Sequence, residues 1–365
     1  MSEPIRVLVV DDSALMRKLI PQILERDPSI HVIGTAMDGA FGLKKIEELK
    51  PHVVTLDLEM PRMDGIAMLR ELTHRYRLPV ILFSAHSRQG AQDTLKALSL
   101  GAFDFVAKPS SATSGQLDEI AQELTLKVKA AAMSRLPDRV REVSHPRPRP
   151  RSEKQKSQRP PSRVVAIGIS TGGPNALEYM LSQIPADFAG CLLIAQHMPA
   201  GFTEMLAKRL DESSFLEVRE AVSGDQLLAG RALICPGNRH LLVRRSPHGQ
   251  IAVVSDSPRV NGHRPSADVL FRSVAAQFGS SAIALLMTGM GDDGADGAGV
   301  IKKAGGLAVA QSFASCVVDS MPRHAVSRGH ITHIVELESL PSFLYAHCSN
   351  YSEVAQTLAC RGDVL

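Results

Sequence analysis

Apolar residues along this chain gather in short runs, and between the runs they recur every three or four positions. Runs at 5–10, 31–36, 53–56, 80–83 and 103–107 predict strands, and the periodic stretches at 14–26, 39–49, 65–75, 88–98 and 115–132 predict amphipathic helices. Such βα alternation builds a parallel sheet with helices on both faces, over residues 1–125. The alternation resumes with strands at 164–169, 191–196, 232–235, 240–244, 251–254, 282–287, 307–310 and 332–336. Helices are expected at 173–183, 201–210, 266–278, 295–304 and 338–347. Residues 163–350 are thus expected to form a larger, doubly wound, mostly parallel α/β domain, with a short antiparallel insertion around 232–254.

The pattern fails in one place. From about 135 to 163 proline and arginine dominate and large apolar residues almost vanish, so this segment cannot bury enough surface to offset its ordering entropy. Residues 126–162 are read as a helical extension followed by a linker, and 351–365 as a tail. A length of 365 residues fits two or three domains, and 44% hydrophobic content supplies their cores. A net charge of +3 gives no argument for a nucleic-acid partner. Cys191, Cys235, Cys316, Cys348 and Cys360 are widely spaced without a C-x-x-C pair, which suits reduced thiols and gives no zinc signature. No secretory signal is visible, and no apolar run approaches the ~20 residues of a membrane helix, so the expected location is cytoplasmic, without membrane insertion.

Chemistry-bearing residues sit where the predicted strands end. Asp11 and Asp12 follow the first strand, Asp57 the third, Ser84 the fourth and Lys108 the fifth. In a parallel sheet these ends share one edge, where open α/β folds place their sites. Carboxylates crowded there favour a hard divalent cation such as Mg2+, and a lysine with a hydroxyl completes a cradle for phosphoryl oxygens. An aspartate can accept a phosphoryl group covalently. Each residue alone could be a cap, a turn acid or a surface lysine, but five at successive strand ends point to a site.

This pattern resembles the receiver domain of two-component response regulators, a flavodoxin-like fold, over residues 4–125. The resemblance implies that Asp57 is the phospho-acceptor, that Asp11, Asp12, Asp57 and the backbone carbonyl of Glu59 hold Mg2+, and that Ser84 and Lys108 bind the phosphoryl oxygens. It also implies that Phe105 is the aromatic switch residue, that residues 60–65 form the turn after the acceptor, and that a sensor histidine kinase is the phosphodonor.

The second half carries Gly168-Ile169-Ser170-Thr171-Gly172-Gly173 at the end of an apolar run. A strand, a glycine turn and a following helix can present a serine as a nucleophile, with the helix's positive end near developing negative charge. A capping serine in a glycine turn would give the same string. His197 follows the strand at 191–196, and the adjacent Asp292 and Asp293 follow the strand at 282–287. Serine, histidine and one aspartate at neighbouring strand ends can form an acyl-transfer triad, with a backbone N–H of the 289–291 turn on the oxyanion. Their order, Ser, His, Asp, differs from the Ser, Asp, His of α/β-hydrolases. The aspartate loop does not meet the calcium-loop pattern.

Five segments then make a specific likeness: 168–174, Gln196-His197-Met198-Pro199 with 201–203, His263-Arg264-Pro265-Ser266 with 268–271, the loop 288–294, and 314–318 with Met321-Pro322-Arg323. They resemble the chemotaxis protein-glutamate methylesterases. The resemblance implies a triad of Ser170, His197 and Asp293, an oxyanion N–H from Met290, and support of the histidine by Thr171. It further implies hydrolysis of γ-glutamyl methyl esters on methyl-accepting chemoreceptors, deamidation of selected receptor glutamines, no organic cofactor, and a receiver that covers the active site until phosphorylated. Asp292 stands where many members have asparagine, and His324 where glutamate is usual. The charge of Asp292 is expected to alter the pH profile. A DNA-binding output domain would need a helix-turn-helix pattern, and a dinucleotide enzyme a G-x-G-x-x-G; neither is present.

Overall fold

A computed structural model describes residues 3–60, 65–85, 87–108, 114–133 and 158–349. The turn at 61–64, the basic stretch at 134–157, Pro109, Cys360 and the tail at 351–365 lie outside the described residues. The chain divides into two compact units, Met1–Ser144 and His145–Leu365.

In the first unit β1 (Ile5–Val10), β2 (Ile30–Ala36), β3 (Val53–Asp57), β4 (Val80–Ser84) and β5 (Asp104–Ala107) form a parallel sheet of order β2-β1-β3-β4-β5. Every residue of β3 and β4 is buried, as expected of strands covered on both faces. The covering helices are α1 (Ala14–Leu24), α2 (Gly39–Leu49), α3 (Gly65–Glu71), α4 (Arg88–Ser99) and α5 (Ser114–Met133). Side chains fix three helix starts: Ser13 accepts from Met16 N–H, Asp38 from Phe41 N–H, and Ser87 from Gly90 N–H. The helix expected over 65–75 is α at first, then closes in a π turn at Leu72–Tyr76.

The second unit contains β6 (Val164–Ile169), α6 (Gly173–Gln183), β7 (Cys191–Gln196), α7 (Phe202–Ser213), β8 (Glu217–Glu220), β9 (Arg231–Ile234), β10 (His240–Ser246) and β11 (Gly249–Ser255). It continues with α8 (Ala267–Phe278), β12 (Ala282–Leu286), α9 (Ala295–Lys303), β13 (Leu307–Gln311), α10 (Ser320–Ser327), β14 (His333–Val335) and α11 (Leu340–Cys348). Seven strands pair in the order β14-β13-β12-β6-β7-β9-β8, every pair parallel. The chain runs outward from β6 in one direction and returns through β12 in the other, so its switch point lies between β6 and β12. The core fills around α8, whose Leu270, Phe271 and Val274 pack with sheet residues such as Ala166, Leu193 and Leu286.

Two expectations need correction. The antiparallel insertion is smaller than 232–254: β9 belongs to the main sheet, and only β10 and β11 form the separate hairpin. β8 and α10 were not anticipated. β8 reads Glu-Val-Arg-Glu, a short edge strand with a single buried apolar residue, so it carries almost no hydrophobic signal. Among the described residues no helix is long and apolar enough to cross a membrane.

Candidate functional site

The ladder between β6 and β7 ends at the pair Ile169 and Gln196, and the His197 N–H then donates to Ile169 O at 3.0 Å. Ser170 and His197 therefore leave adjacent strands side by side. Ser170 N–H donates to Thr288 O (3.0 Å), tying the serine to the loop after β12 across the switch point. Gly172, at φ 78°, turns the chain into α6, a conformation that penalises any side chain. Gly289 is needed for space: a Cβ there would lie 2.8 Å from that of Ser170 and closer still to Met321 Sδ. Gln196, buried at the end of β7, donates from Nε2 to Ser170 O (3.0 Å) and His197 O (3.2 Å), bridging the two turns.

The structure separates the adjacent aspartates. Asp293 has no exposed surface, and its Oδ2 meets His197 Nε2 at 2.9 Å and the Ala267 N–H at 2.6 Å. Its Oδ1 accepts from Ser266 Oγ (2.7 Å) and the Asp268 N–H (3.2 Å). The carboxylate thus sits on the first turn of α8, where free N–H groups and the helix dipole favour negative charge. Burial alone would push its pKa up; the hydrogen bond and charge of His197, with Ser266 and Ala267, overcome that and hold it down to about 2. Asp292, with a side chain 46% exposed, pairs with Arg328 at 2.5 Å, and Arg328 also holds Asp296 at 2.9 Å. The extra charge expected to alter the pH profile is therefore matched by a cation. His324 is engaged on its own turn and the glycine loop: its Nδ1 contacts Ser320 O (2.8 Å) and Gly291 O (3.1 Å).

With Nε2 committed to Asp293, the other ring nitrogen of His197, Nδ1, is buried and has no hydrogen-bond partner among the described residues. One nitrogen is tied to a carboxylate and the other is free to take a proton, which is the arrangement a general base requires. Gly289 N–H donates to Val318 O and Gly291 O accepts from Ser320 Oγ, while no described residue accepts the N–H of Met290 between them. Thr171 is buried and its carbonyl accepts from Thr288 Oγ1 at 3.0 Å.

Two residues of the site escaped the sequence. Ser266 was legible only as the start of a helix, because nothing in its neighbourhood identifies Asp293 as its partner. His263 stands within a motif that gives it no task of its own; its ring lies on that of His197, with centroids 4.1 Å apart and planes 6° from parallel.

In the first unit Asp11, Asp12 and Asp57 bring carboxylate oxygens within 4.8 Å of one another at the carboxyl edge of the sheet. Lys108 Nζ lies 2.6 Å from Asp57 Oδ2 and 3.8 Å from Asp11 Oδ2, and the Glu59 N–H donates to Asp57 Oδ1 at 3.2 Å. Burial raises the Asp11 pKa to about 6; Lys108 lowers it less than burial lifts it, and Asp57 adds to the rise. Asp11 Oδ2 is buried without a hydrogen-bond partner among the described residues. An orphaned anionic oxygen beside two further carboxylates fits a hard divalent cation such as Mg2+. Ser84 and Asp57 line one small cleft, but the Ser84 hydroxyl contacts Thr94 Oγ1 (2.5 Å) and Gly90 O (3.2 Å). Phe105 is buried, with Lys127 Nζ 5.3 Å from its ring centroid. Burial raises the thiols of Cys191, Cys316 and Cys348 to about 12, so none is poised as a nucleophile.

Comparison with known proteins agrees with this division. Residues 165–344 match the family model described as CheB methylesterase, and residues 7–120 the model of the response regulator receiver domain. A protein-glutamate methylesterase/protein-glutamine glutaminase 2 of Koribacter versatilis is 61% identical over 93% of this chain and 95% of its own length. A protein-glutamate methylesterase/protein-glutamine glutaminase of Symbiobacterium thermophilum is 46% identical over 92% and 95%. Among solved structures, the CheB methylesterase catalytic domain of Thermotoga maritima is similar to half of the chain and covers 97% of its own, at 35% identity and a TM-score of 0.50.

Proposed function

Because this chain belongs to the protein-glutamate methylesterase/protein-glutamine glutaminase family, with a receiver domain ahead of the esterase domain, we propose that Ser170, His197 and Asp293 are its hydrolytic triad. The chain is an ester hydrolase of chemotaxis, regulated by phosphorylation, that acts on protein glutamate methyl esters and on protein glutamines. The observation that carries the triad is the buried Asp293 on His197 Nε2, with Nδ1 unpartnered.

In this reading Ser170 Oγ attacks the ester carbonyl carbon while His197 Nδ1 takes the hydroxyl proton. Asp293 stays ionised and stabilises the imidazolium through Nε2–H. The Met290 N–H donates to the tetrahedral oxyanion, a contact worth about 3 kcal/mol in comparable sites. The intermediate collapses as His197 returns the proton to the methoxy oxygen, releasing methanol and leaving a glutamyl ester on Ser170. Water then repeats the sequence, giving glutamate and free serine. A glutamine amide follows the same route with ammonia as leaving group. Thr171, whose carbonyl is fixed by Thr288, supports the serine turn and through it the histidine.

The receiver half is read in the same way. Asp11, Asp12, Asp57 and the Glu59 carbonyl would hold Mg2+, which when bound offsets the charge of the carboxylates and the incoming phosphoryl oxygens. Asp57 is the phospho-acceptor, and Lys108, already on Asp57, passes to a phosphoryl oxygen. Ser84 turns from Gly90 toward the same group, and Phe105 is the aromatic that responds. A sensor histidine kinase supplies the phosphoryl group, and the cytoplasmic helices of methyl-accepting chemoreceptors supply the substrate. A fluorophosphonate probe tests the triad: it should label the full chain at Ser170 and lose most of its rate in His197→Ala. Equal labelling in Ser170→Ala would refute the assignment.

A further inference from the structure

Asp293 holds the His197 ring by one edge only. A ring hydrogen-bonded through Nε2 alone can still tilt about that bond, and Nδ1, the nitrogen that must accept a proton, has no hydrogen-bond partner among the described residues to stop it. The Nδ1 lone pair lies in the ring plane, so a tilt of a few tens of degrees would spoil its alignment with a nucleophile.

We propose that His263 is a positioning residue of the hydrolytic site, its ring clamping the face of the His197 imidazole while Asp293 holds the edge. This rests on the triad reading given above. The two rings are stacked at 4.1 Å between centroids and 6° between planes. The segment that carries His263 is itself fixed: His263 N–H donates to Val260 O (2.9 Å) and Val260 N–H to His263 O (3.1 Å). Asn261 and Gly262, at φ 50° and 78°, close that turn, and Asn261 Nδ2 ties it to the buried Asp268 at 3.1 Å. Three residues on, Ser266 and the first N–H groups of α8 grip Asp293. One segment, 260–268, thus holds both the face of the base and the edge of its carboxylate.

The clamp also suits the reaction's charge. His263 is held neutral, because burial and the neighbouring His197 lower its pKa to about 4. A neutral ring presents its face to the imidazolium that forms as Ser170 attacks, an attraction absent while His197 is uncharged. The contact therefore strengthens toward the transition state and should act on kcat rather than KM.

The test is methanol release by the full chain from methylated receptor membranes after activation with acetyl phosphate and Mg2+. His263→Phe keeps a flat ring and should stay within about 3-fold of wild-type kcat, whereas His263→Leu fills the volume without stacking and should lose roughly 10-fold in kcat at unchanged KM. His263→Met is the second non-planar variant should the leucine protein melt early. Wild-type kcat in a folded non-planar variant, or an equal loss in His263→Phe, would overturn the clamp. His197→Ala runs alongside: activity surviving there would instead overturn the triad itself.

Discussion

Asp293 accepts from His197, Ser266, Ala267 and Asp268 without any exposed surface, whereas Asp292 beside it faces outward onto Arg328. The two should respond to neutralisation by very different amounts. Asp293→Asn keeps the shape but removes the charge that, in the proposed triad, steadies the imidazolium, so kcat should fall by roughly 10³-fold or more. Asp292→Asn should change it less than about 3-fold, since an exposed ion pair contributes little. Steady-state methanol release on the two variants separates them. His263 gives a pH prediction. Its pKa falls from 6.5 to about 4 on folding, first through burial and then through His197, with Asp293 and Asp292 opposing and Arg259 assisting. Between those values the unfolded chain binds the proton and the folded chain does not. The resulting stability is complete above pH 6.5 and declines as pH falls toward about 4. Urea melts of wild type should weaken across that window more steeply than those of His263→Phe, and parallel curves would contradict the assignment.

At the scale of elements, the site is an assembly of strand ends and one helix start. Strand ends were legible: apolar runs closing on Ser170, His197, Asp57 and Ser84 mark where parallel strands reach the sheet's carboxyl edge, and the ladders end there. The contribution of α8 was not, because a helix N-terminus advertises a cap and not the distant carboxylate that occupies it. Ser266 does both, accepting from Val269 N–H at 3.4 Å while donating to Asp293 at 2.7 Å. β8 escaped for the opposite reason: Glu217 and Glu220 flank a strand whose pairing with β9 alone defines it. Likewise the β9 run looks like part of the hairpin in sequence, because a run of apolar residues marks a strand but not its neighbours. Ser266→Ala should cost about 1 kcal/mol as a lost cap and also lower kcat by roughly 10-fold through Asp293. Chemical denaturation and kinetics on one preparation check both, and a loss of stability at full kcat would leave Ser266 as a cap alone.

For the whole molecule, the chain couples a receiver to a hydrolase. Acetyl phosphate with Mg2+ should raise methanol release by the full chain, and Asp57→Asn should remove that rise while leaving the resting rate in place. A rise that persists in Asp57→Asn would place control elsewhere. Chelation of divalent cations should block the rise too, because it leaves the crowded carboxylates of Asp11, Asp12 and Asp57 without the cation that would offset them and the incoming phosphoryl oxygens. In the proposed triad Ser170 is the nucleophile. The most direct test is methanol release from methylated receptor membranes by full-length wild type and Ser170→Ala, both treated with acetyl phosphate and Mg2+. Release by wild type and none above the enzyme-free background by the folded Ser170→Ala protein is the predicted result, and comparable release by the two would contradict the account.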